Sequence, residues 1–324
     1  MTTRTELLTP AFRALSARLG QDPLQVQGPG GNTSIKDDEV MWIKASGTEL
    51  ANAEEDMIFV AVDRKAAQAE AKGLQGDGSC KTTGLDAAIT LRPSIETTFH
   101  AALDFPVVAH THSVATLVHA TGPEGRAALA DKLAGLAYAT VPYAKPGLPL
   151  TGEILRAAGP ETQVFILFNH GLIACGQDAE EVSELLAEVE KRLQMPVLRD
   201  LSSTPNNAAP DGFSWAEQSW LAKDARTGTL ARAGSYYPDH VVFLGPALPL
   251  SDHAGNPPAI LRKGEGVLLR DDATSSQKAM LRCLSDVLSR LPEDWSLAAI
   301  GEAAEAELLN WDAEKYRQAL AARA

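Results

Sequence analysis

Residues 107–113 read Val-Val-Ala-His-Thr-His-Ser, and both the predicted fold and the predicted site follow from this stretch. An apolar run that ends in two histidines predicts a buried strand with imidazoles at its end. Alternate side chains of a strand point to the same face, so we expect His110 and His112 to emerge together. Two imidazoles on one face can bind one metal ion, so the functional interpretation of this pair is a metal site. The alternative is a pair of polar residues at a strand end.

The composition is that of a folded protein with an acidic surface. A chain of 324 residues, 45% hydrophobic and 22% charged, can bury a substantial core. Its net charge of −13 argues against nucleic-acid and anionic-membrane partners, because both require a clustered basic surface. The first ten residues lack an apolar leader, and the most apolar run, 164–168, is too short to span a bilayer. The three cysteines form no C-x-x-C pair, so we expect a reduced, cytoplasmic setting.

Helical and extended patterns alternate through the first two thirds of the chain. Leu8, Phe12, Leu15 and Leu19 recur at helical spacing and predict an amphipathic helix, which Gly20 would end in the left-handed conformation.

Two turns rich in glycine and hydroxyl residues, 28–34 and 45–48, bracket a predicted strand at 40–44. Such turns suit a phosphate, and two ordinary hairpin turns are the alternative. Residues 164–175 predict a tight hairpin of two apolar strands, with His170 in its turn. Because an unpaired buried imidazole is costly, this histidine needs a polar partner.

Pro93 predicts the first turn of a helix, in which Ile95, Phe99 and Ala102 share a face. Glu96 lies near the start of this helix. Its carboxylate is either a partner of the helix dipole or a base held near a metal, and the residues alone favour the structural role.

Residues 199–212 are the predicted linker, since Ser, Pro, Asn, Ala and Gly dominate there. The prediction is a domain over 1–198 and a C-terminal extension over 213–324 that packs on it. Within the extension we expect a helix at about 214–223, a strand at 239–244, a second strand at 267–269 and a capped helix at 274–291. The extension shows no recognisable chemistry in its sequence.

Five separated motifs together resemble the class II aldolase/adducin family, which includes fuculose-, rhamnulose- and ribulose-phosphate enzymes. They are 31–34 (Gly-Asn-Thr-Ser), 46–48 (Ser-Gly-Thr), 93–100 (Pro-Ser-Ile-Glu-Thr-Thr-Phe-His), the His-x-His pair at 110–112 and 169–172 (Asn-His-Gly-Leu). The resemblance covers roughly residues 5–195. Residues 92–96 and 238–240 look like the aldolase half of bifunctional rhamnulose-phosphate aldolase/dehydrogenases. No G-x-G-x-x-G unit follows them, so no dehydrogenase half is expected in this sequence.

The resemblance implies an α/β fold with three αβα layers around a mixed, mainly antiparallel sheet, to which the extension adds α+β structure. It also implies a divalent metal, usually zinc with manganese or cobalt as alternatives, on His110, His112 and His170. Glu96 matches the catalytic acid/base of the family. Residues that match the positions binding the substrate's phosphate or terminal polar group are Gly31, Asn32, Ser46, Gly47 and Ser94.

One departure from the family pattern is Ile95, which stands where fuculose-type enzymes carry a second hydroxyl residue. It weakens the phosphate assignment and leaves a carboxylate or an uncharged terminus open. Family members often use a tyrosine of a neighbouring subunit; Tyr138 and Tyr143 lie near the expected place, and neither can be aligned securely.

The function implied by the resemblance is retro-aldol cleavage of a ketose phosphate or related sugar acid through a metal-bound enediolate. Epimerisation, dehydration and decarboxylation of 3-oxo acids are alternatives within the family, and a metal-free adducin-like scaffold is a further one. The family commonly forms cyclic tetramers, so a homo-oligomer is expected. A separate dehydrogenase subunit is a candidate partner if this chain is the aldolase half of a split pair.

Overall fold

The chain builds one large sheet of mixed direction with helices on both faces. The computed structural model describes residues 2–86, 90–201, 204–252 and 255–323. Within these residues the large sheet has seven strands. They are β1 (Asn32–Lys36), β2 (Val40–Lys44), β3 (Phe59–Asp63), β4 (Val107–Thr111), β5 (Tyr138–Val141), β6 (Val164–Leu167) and β7 (Gly171–Gly176). Their order is β3-β2-β1-β4-β7-β6-β5, and all neighbours are antiparallel except β5 and β6. The predicted mixed, mainly antiparallel sheet is confirmed.

Seven helices of the same region cover the two faces of the sheet. They are α1 (Pro10–Gln21), α2 (Arg64–Ala71), α3 (Thr97–Ala102), α4 (Val114–Ala120), α5 (Pro123–Lys132), α6 (Leu148–Ala157) and α7 (Ala179–Leu193). Side chains alternate between the faces along each strand. Ala109 of β4 therefore packs with α1 and α7, whereas the preceding Val108 packs with α3 and α6. This is the predicted αβα arrangement.

The direction of the strands brings three separated segments to one edge of the sheet. β4 runs antiparallel to β1 and β7, so the end of β4 lies level with the start of both neighbours. Accordingly, His110 is paired with Asn32 of β1 and with Ile173 of β7. The turn between β6 and β7, which carries His170, lies at the same edge.

The C-terminal extension combines a small sheet with four helices. Its strands, in the order β8-β10-β9, are β8 (Phe213–Trp215), β9 (Ala259–Arg262) and β10 (Gly266–Arg270). Its helices are α8 (Ala225–Leu230), α9 (Ser275–Arg290), α10 (Glu302–Leu309) and α11 (Asp312–Ala321). Leu117 and Val118 of α4 share a core with Leu284 of α9 and Phe243, so the extension packs on the large sheet's helices. The exact domain boundary stays a prediction.

Of two helix boundaries predicted near the ends of the chain, the one at Thr274 is correct and the one at Gly20 is not. The helix predicted after Thr274 is confirmed as α9, and Thr274 forms a capping box with Gln277. Gly20, however, does not end α1. It lies within the helix, where an added Cβ would be 2.1 Å from the backbone nitrogen of Ala51. Glycine is needed there because the helix approaches the segment Leu50–Asn52, and not because the chain turns.

The strand predicted at 239–244 is wrong, because His240–Leu244 form a turn of π-helix. This short apolar run is buried on all sides between α9, α10 and α11. Such a run does not by periodicity alone distinguish a strand from a buried helical turn. The helix predicted at 214–223 is likewise replaced by β8 and a 3₁₀ helix, Glu217–Ala222. No helix of the described residues is long and apolar enough to cross a membrane.

Candidate metal centre

Three histidines meet at the edge of the large sheet. His110 is in β4, His112 follows that strand, and His170 lies in the turn before β7. Their exposed fractions are 0%, 5% and 3%. One nitrogen from each ring can be chosen so that all three lie within 4.8 Å of one another. The tertiary structure therefore brings together the three residues that the sequence singled out.

Two of the histidines, His110 and His170, are held as neutral rings. The Nδ1 atom of His110 lies 3.0 Å from the carbonyl oxygen of Leu172 and donates to it. In the neutral ring the proton is then on Nδ1, which leaves Nε2 as an acceptor. Burial lowers the pKa of His110, and burial lowers the pKa of His170 to about 3. Neutral imidazole is the form that binds a metal ion.

Glu96 lies between two of the imidazoles. Its Oε2 atom is 3.5 Å from Nε2 of His110, and its Oε1 atom is 3.5 Å from Nε2 of His170. Asn32 donates a hydrogen bond of 2.8 Å from Nδ2 to Oε2 of Glu96. Burial raises the pKa of the Glu96 carboxyl, but the neighbouring histidines and Asn32 lower it more, so the net shift is downward. A buried carboxylate held in this way can exchange a proton with a bound molecule.

The helix predicted to begin at Pro93 begins later, at Thr97. Pro93 instead pairs with Ala45 in an isolated β-bridge. A proline in this bridge needs no backbone donor. Glu96 is consequently the last residue before α3, and its side chain makes no capping hydrogen bond to that helix. The structure therefore gives less support to Glu96 as a partner of the helix dipole than to Glu96 as a base held near the histidines.

Three further charged residues of the site, Asp239, Glu314 and Arg317, come from the extension and were missed by sequence reasoning. Asp239 is 2% exposed, and its Oδ2 atom lies 3.3 Å from Nδ1 of His112. Arg317 of α11 donates two hydrogen bonds to Asp239, of 2.8 and 3.2 Å, and one of 2.9 Å to Glu314. The salt bridge to Arg317 keeps the pKa of Asp239 well below its usual range although burial alone would raise it.

Gly30 leaves space for the pair of Asp239 and His112. A Cβ on residue 30 would be 2.8 Å from Oδ2 of Asp239 and 2.9 Å from Nδ1 of His112. The only sequence signal for Asp239 is its position in the family-like segment 238–240. Arg317 lies in an ordinary amphipathic helix, and nothing in the sequence distinguishes it.

The predicted phosphate-site residues surround a small inner chamber beside the histidines. Its volume is about 30 Å³. Among its lining residues are Gly31, Asn32, Ser46, Gly47 and Ser94, together with His112, His170, Asp239 and Arg317. Neither Tyr138 nor Tyr143 lines this chamber.

The donor set fits a divalent metal ion. Oε1 of Glu96 and Nε2 of His110 are buried acceptor atoms without a hydrogen-bond partner among the described residues. Such atoms are costly to bury unless a ligand or water satisfies them. Three imidazoles with one side left open are a donor set of catalytic zinc sites.

Comparison with known proteins gives a family match over most of the first two thirds of the chain. Residues 13–197 match the model of the Class II Aldolase and Adducin N-terminal domain. A curated relative from Bacillus subtilis, named "Uncharacterized oxidoreductase YuxG", is 29% identical over 181 residues, which are 50% of this chain and 25% of that protein. The chain thus matches about a quarter of that relative's length.

Two solved structures are also similar to this chain. The N-terminal class II aldolase domain of a conserved protein from Thermoplasma acidophilum is 26% identical, with 56% of this chain and 90% of that chain covered and a TM-score of 0.49. The L-fuculose-1-phosphate aldolase from Thermus thermophilus is 17% identical, with 58% and 92% covered and a TM-score of 0.39. On the family match over residues 13–197, the chain belongs to the class II aldolase and adducin family.

Proposed function

We propose that the protein is a divalent-metal-dependent lyase that cleaves a ketose phosphate or a related sugar acid by retro-aldol chemistry. The observation that carries the proposal is the convergence of three buried imidazoles, two of which lie 3.5 Å from one buried carboxylate. A scaffold without catalytic chemistry has no need for these costly buried groups. Membership of the aldolase family agrees with this function.

His110, His112 and His170 would hold the ion, which we propose to be zinc, with manganese and cobalt as alternatives. When bound, the ion supplies a Lewis acid that stabilises the negative charge developing on the substrate oxygens. The histidines keep the full positive charge of the ion available because they are neutral ligands.

Glu96 would carry the proton transfers. Cleavage of the carbon–carbon bond turns the neighbouring carbinol into an aldehyde, and the hydroxyl proton must leave. The Glu96 carboxylate accepts this proton while the bonding electron pair enters the enediolate of the other fragment. Glu96 then returns the proton to the enediolate carbon, so atoms and charges balance.

Asn32 and Asp239 would position the reacting groups. The hydrogen bond from Asn32 fixes the orientation of Glu96 between the histidines. Asp239 accepts from Nδ1 of His112, which leaves Nε2 of that ring as the free ligand atom. Arg317 holds Asp239 in place.

Epimerisation, dehydration and decarboxylation of a 3-oxo acid use the same kind of site and remain alternatives to be separated by product analysis. A homo-oligomer, a cytoplasmic location and a separate dehydrogenase partner likewise stay predictions.

The test combines metal analysis with an assay of products. Freshly purified protein is expected to contain about one zinc, manganese or cobalt ion per chain by elemental analysis, and to release an aldehyde from one or more members of a panel of ketose phosphates and sugar acids. Glu96→Gln is expected to lower the cleavage rate by about 10²- to 10⁴-fold, the usual contribution of a general acid/base.

Glu305→Gln is the matched control, since Glu305 is also buried but bonds to Ser235 in the extension. It is expected to retain the cleavage rate. Full activity of Glu96→Gln, or protein that binds no divalent ion, would contradict the proposed function.

A further inference from the structure

The inner chamber is too small for a whole sugar phosphate. With about 30 Å³, it has room for roughly two water molecules. Several of its polar groups are also engaged already. The amide of Asn32 bonds Glu96 and His100, the hydroxyl of Ser94 accepts from the backbone nitrogen of Glu96, and Nζ of Lys44 donates to the carbonyl of Pro29.

The extension also covers the turn that the family resemblance assigns to the phosphate. A Cβ on Gly47 would lie 2.3 Å from Cδ1 of Leu320, so α11 packs directly on this turn. Beside it, Ile95 offers no side-chain hydrogen bond. The turn at Gly47 is therefore covered on one side by α11, and residue 95 adds no hydroxyl donor to it.

A second, larger cavity adjoins the inner chamber. Ser46, Ile95 and Pro146 line both, so the two chambers lie side by side along these residues. This outer chamber has a volume of about 770 Å³, and its far wall is formed by α10 and α11. For a substrate that reaches the histidines and exceeds the inner chamber, the outer chamber is the adjoining space in which the remainder can lie.

Three cations line the outer chamber, Lys81, Arg92 and Lys145, and Arg92 is the one that combines contact with an aromatic ring and the lack of an ion pair among the described residues. Its guanidinium carbon lies 4.0 Å from the ring centroid of Tyr316, and no ion pair or hydrogen bond of this guanidinium is found among the described residues. Lys145, by contrast, is paired with Glu307 at 3.0 Å and lies over the ring of Trp311. A guanidinium that lies over an aromatic ring and has no other partner can offer its N–H groups for bidentate binding of a phosphate or carboxylate.

We propose that Arg92 binds an anionic group of the substrate in the outer chamber, at the end remote from the oxygens that react at the histidines. This inference rests on the proposed function and deepens it. The substrate class is then a ketose that carries its phosphate or carboxylate at the far end of the chain, and not on the carbon beside the reacting oxygens.

Binding of defined sugars to zinc-loaded protein tests the proposal without turnover, in the Glu96→Gln background, by calorimetry. The probes are ribulose, ribulose 1-phosphate, ribulose 5-phosphate, fructose and fructuronate. Ribulose 5-phosphate or fructuronate is expected to bind about 10- to 100-fold more tightly than its neutral counterpart, as charged hydrogen bonds do. Whichever of the two shows the gain identifies the anion as phosphate or carboxylate.

Arg92→Gln is expected to remove most of that gain, whereas affinity for zinc and for the neutral sugars stays unchanged. Arg262→Gln is the control, because it removes the same charge from β9, outside both chambers. A gain confined to ribulose 1-phosphate, a gain that survives in Arg92→Gln, or no gain for any charged sugar would overturn the inference. Those outcomes leave the proposed function standing if zinc binds and the parent protein cleaves carbon–carbon bonds; loss of zinc binding would overturn both.

Discussion

Replacing Asp239 by asparagine should weaken metal binding without removing a metal ligand. In the structure Oδ2 of Asp239 lies 3.3 Å from Nδ1 of His112 and 3.2 Å from Arg317, while Oδ1 lies 2.8 Å from Arg317. Both partners present donors to the carboxylate. Asparagine has the same shape but offers one oxygen and one amide group. Whichever way it is turned, one donor of His112 or Arg317 faces another donor.

The size of the effect follows from the role of Asp239 as hydrogen-bond partner of Nδ1 of His112, the ring nitrogen that does not bind the metal. Loss of such a partner typically costs about 10- to 100-fold in metal affinity, or about 1.4–2.7 kcal/mol. We expect the loss of zinc affinity in Asp239→Asn to lie in the upper half of this range. Asp239 is 2% exposed, so water does not replace the lost acceptor.

The measurement is the dissociation constant for zinc, obtained by competition with a chelator, together with the visible spectrum of the cobalt-loaded protein. Asp286→Asn is the matched control, because Asp286 forms a salt bridge of 2.8 Å with Arg290 within α9, apart from the histidines. Circular dichroism establishes that both variants are folded.

An unchanged zinc affinity of folded Asp239→Asn would refute the reasoning, since His112 would then bind equally well without its carboxylate partner. An equal loss of affinity in Asp286→Asn would do the same, because the effect would then reflect general destabilisation.

Three further predictions concern stability. Gly20→Ala should destabilise the protein by about 1–3 kcal/mol, because its Cβ would clash with the backbone of Ala51. Gly152→Ala in α6 should stabilise the protein by up to ~1 kcal/mol, because alanine favours the helix and meets no close neighbour there. Urea unfolding measures both changes. Burial lowers the pKa of Lys44 from 10.5 to about 7, so the unfolded chain binds more protons above pH 7. The unfolding free energy should therefore rise with pH, at most by about 1.4 kcal/mol per unit, and less steeply in Lys44→Met, as denaturation at several pH values would reveal. Thr274→Ala should cost about 1 kcal/mol in the same unfolding assay, since it removes the cap of α9.

Local patterns predicted several of the regular elements and the placement of two histidines on one side of a strand. The alternation around His110 and His112 predicts a strand with two imidazoles on one side, and β4 has this form. The turn pattern at His170 indicates only a histidine that needs a polar partner, and the family resemblance assigns it as the third ligand. These features depend on residues close together in sequence, and the family resemblance then links the two segments. The same local information failed where burial and not periodicity decides the structure, as at His240–Leu244.

The sequence, through its resemblance to the family, therefore predicted the class of fold and singled out the three histidines and Glu96 as site residues. Only the tertiary structure decided that the extension contributes to the site. Asp239 contacts His112 although more than a hundred residues of chain separate them, and Arg317 in turn contacts Asp239. Their ion pair exists only when the π-helical turn and α11 pack together. The division into inner and outer chambers also depends on the tertiary structure. Residues of α10 and α11 line these chambers, and local sequence patterns do not predict where the two helices pack.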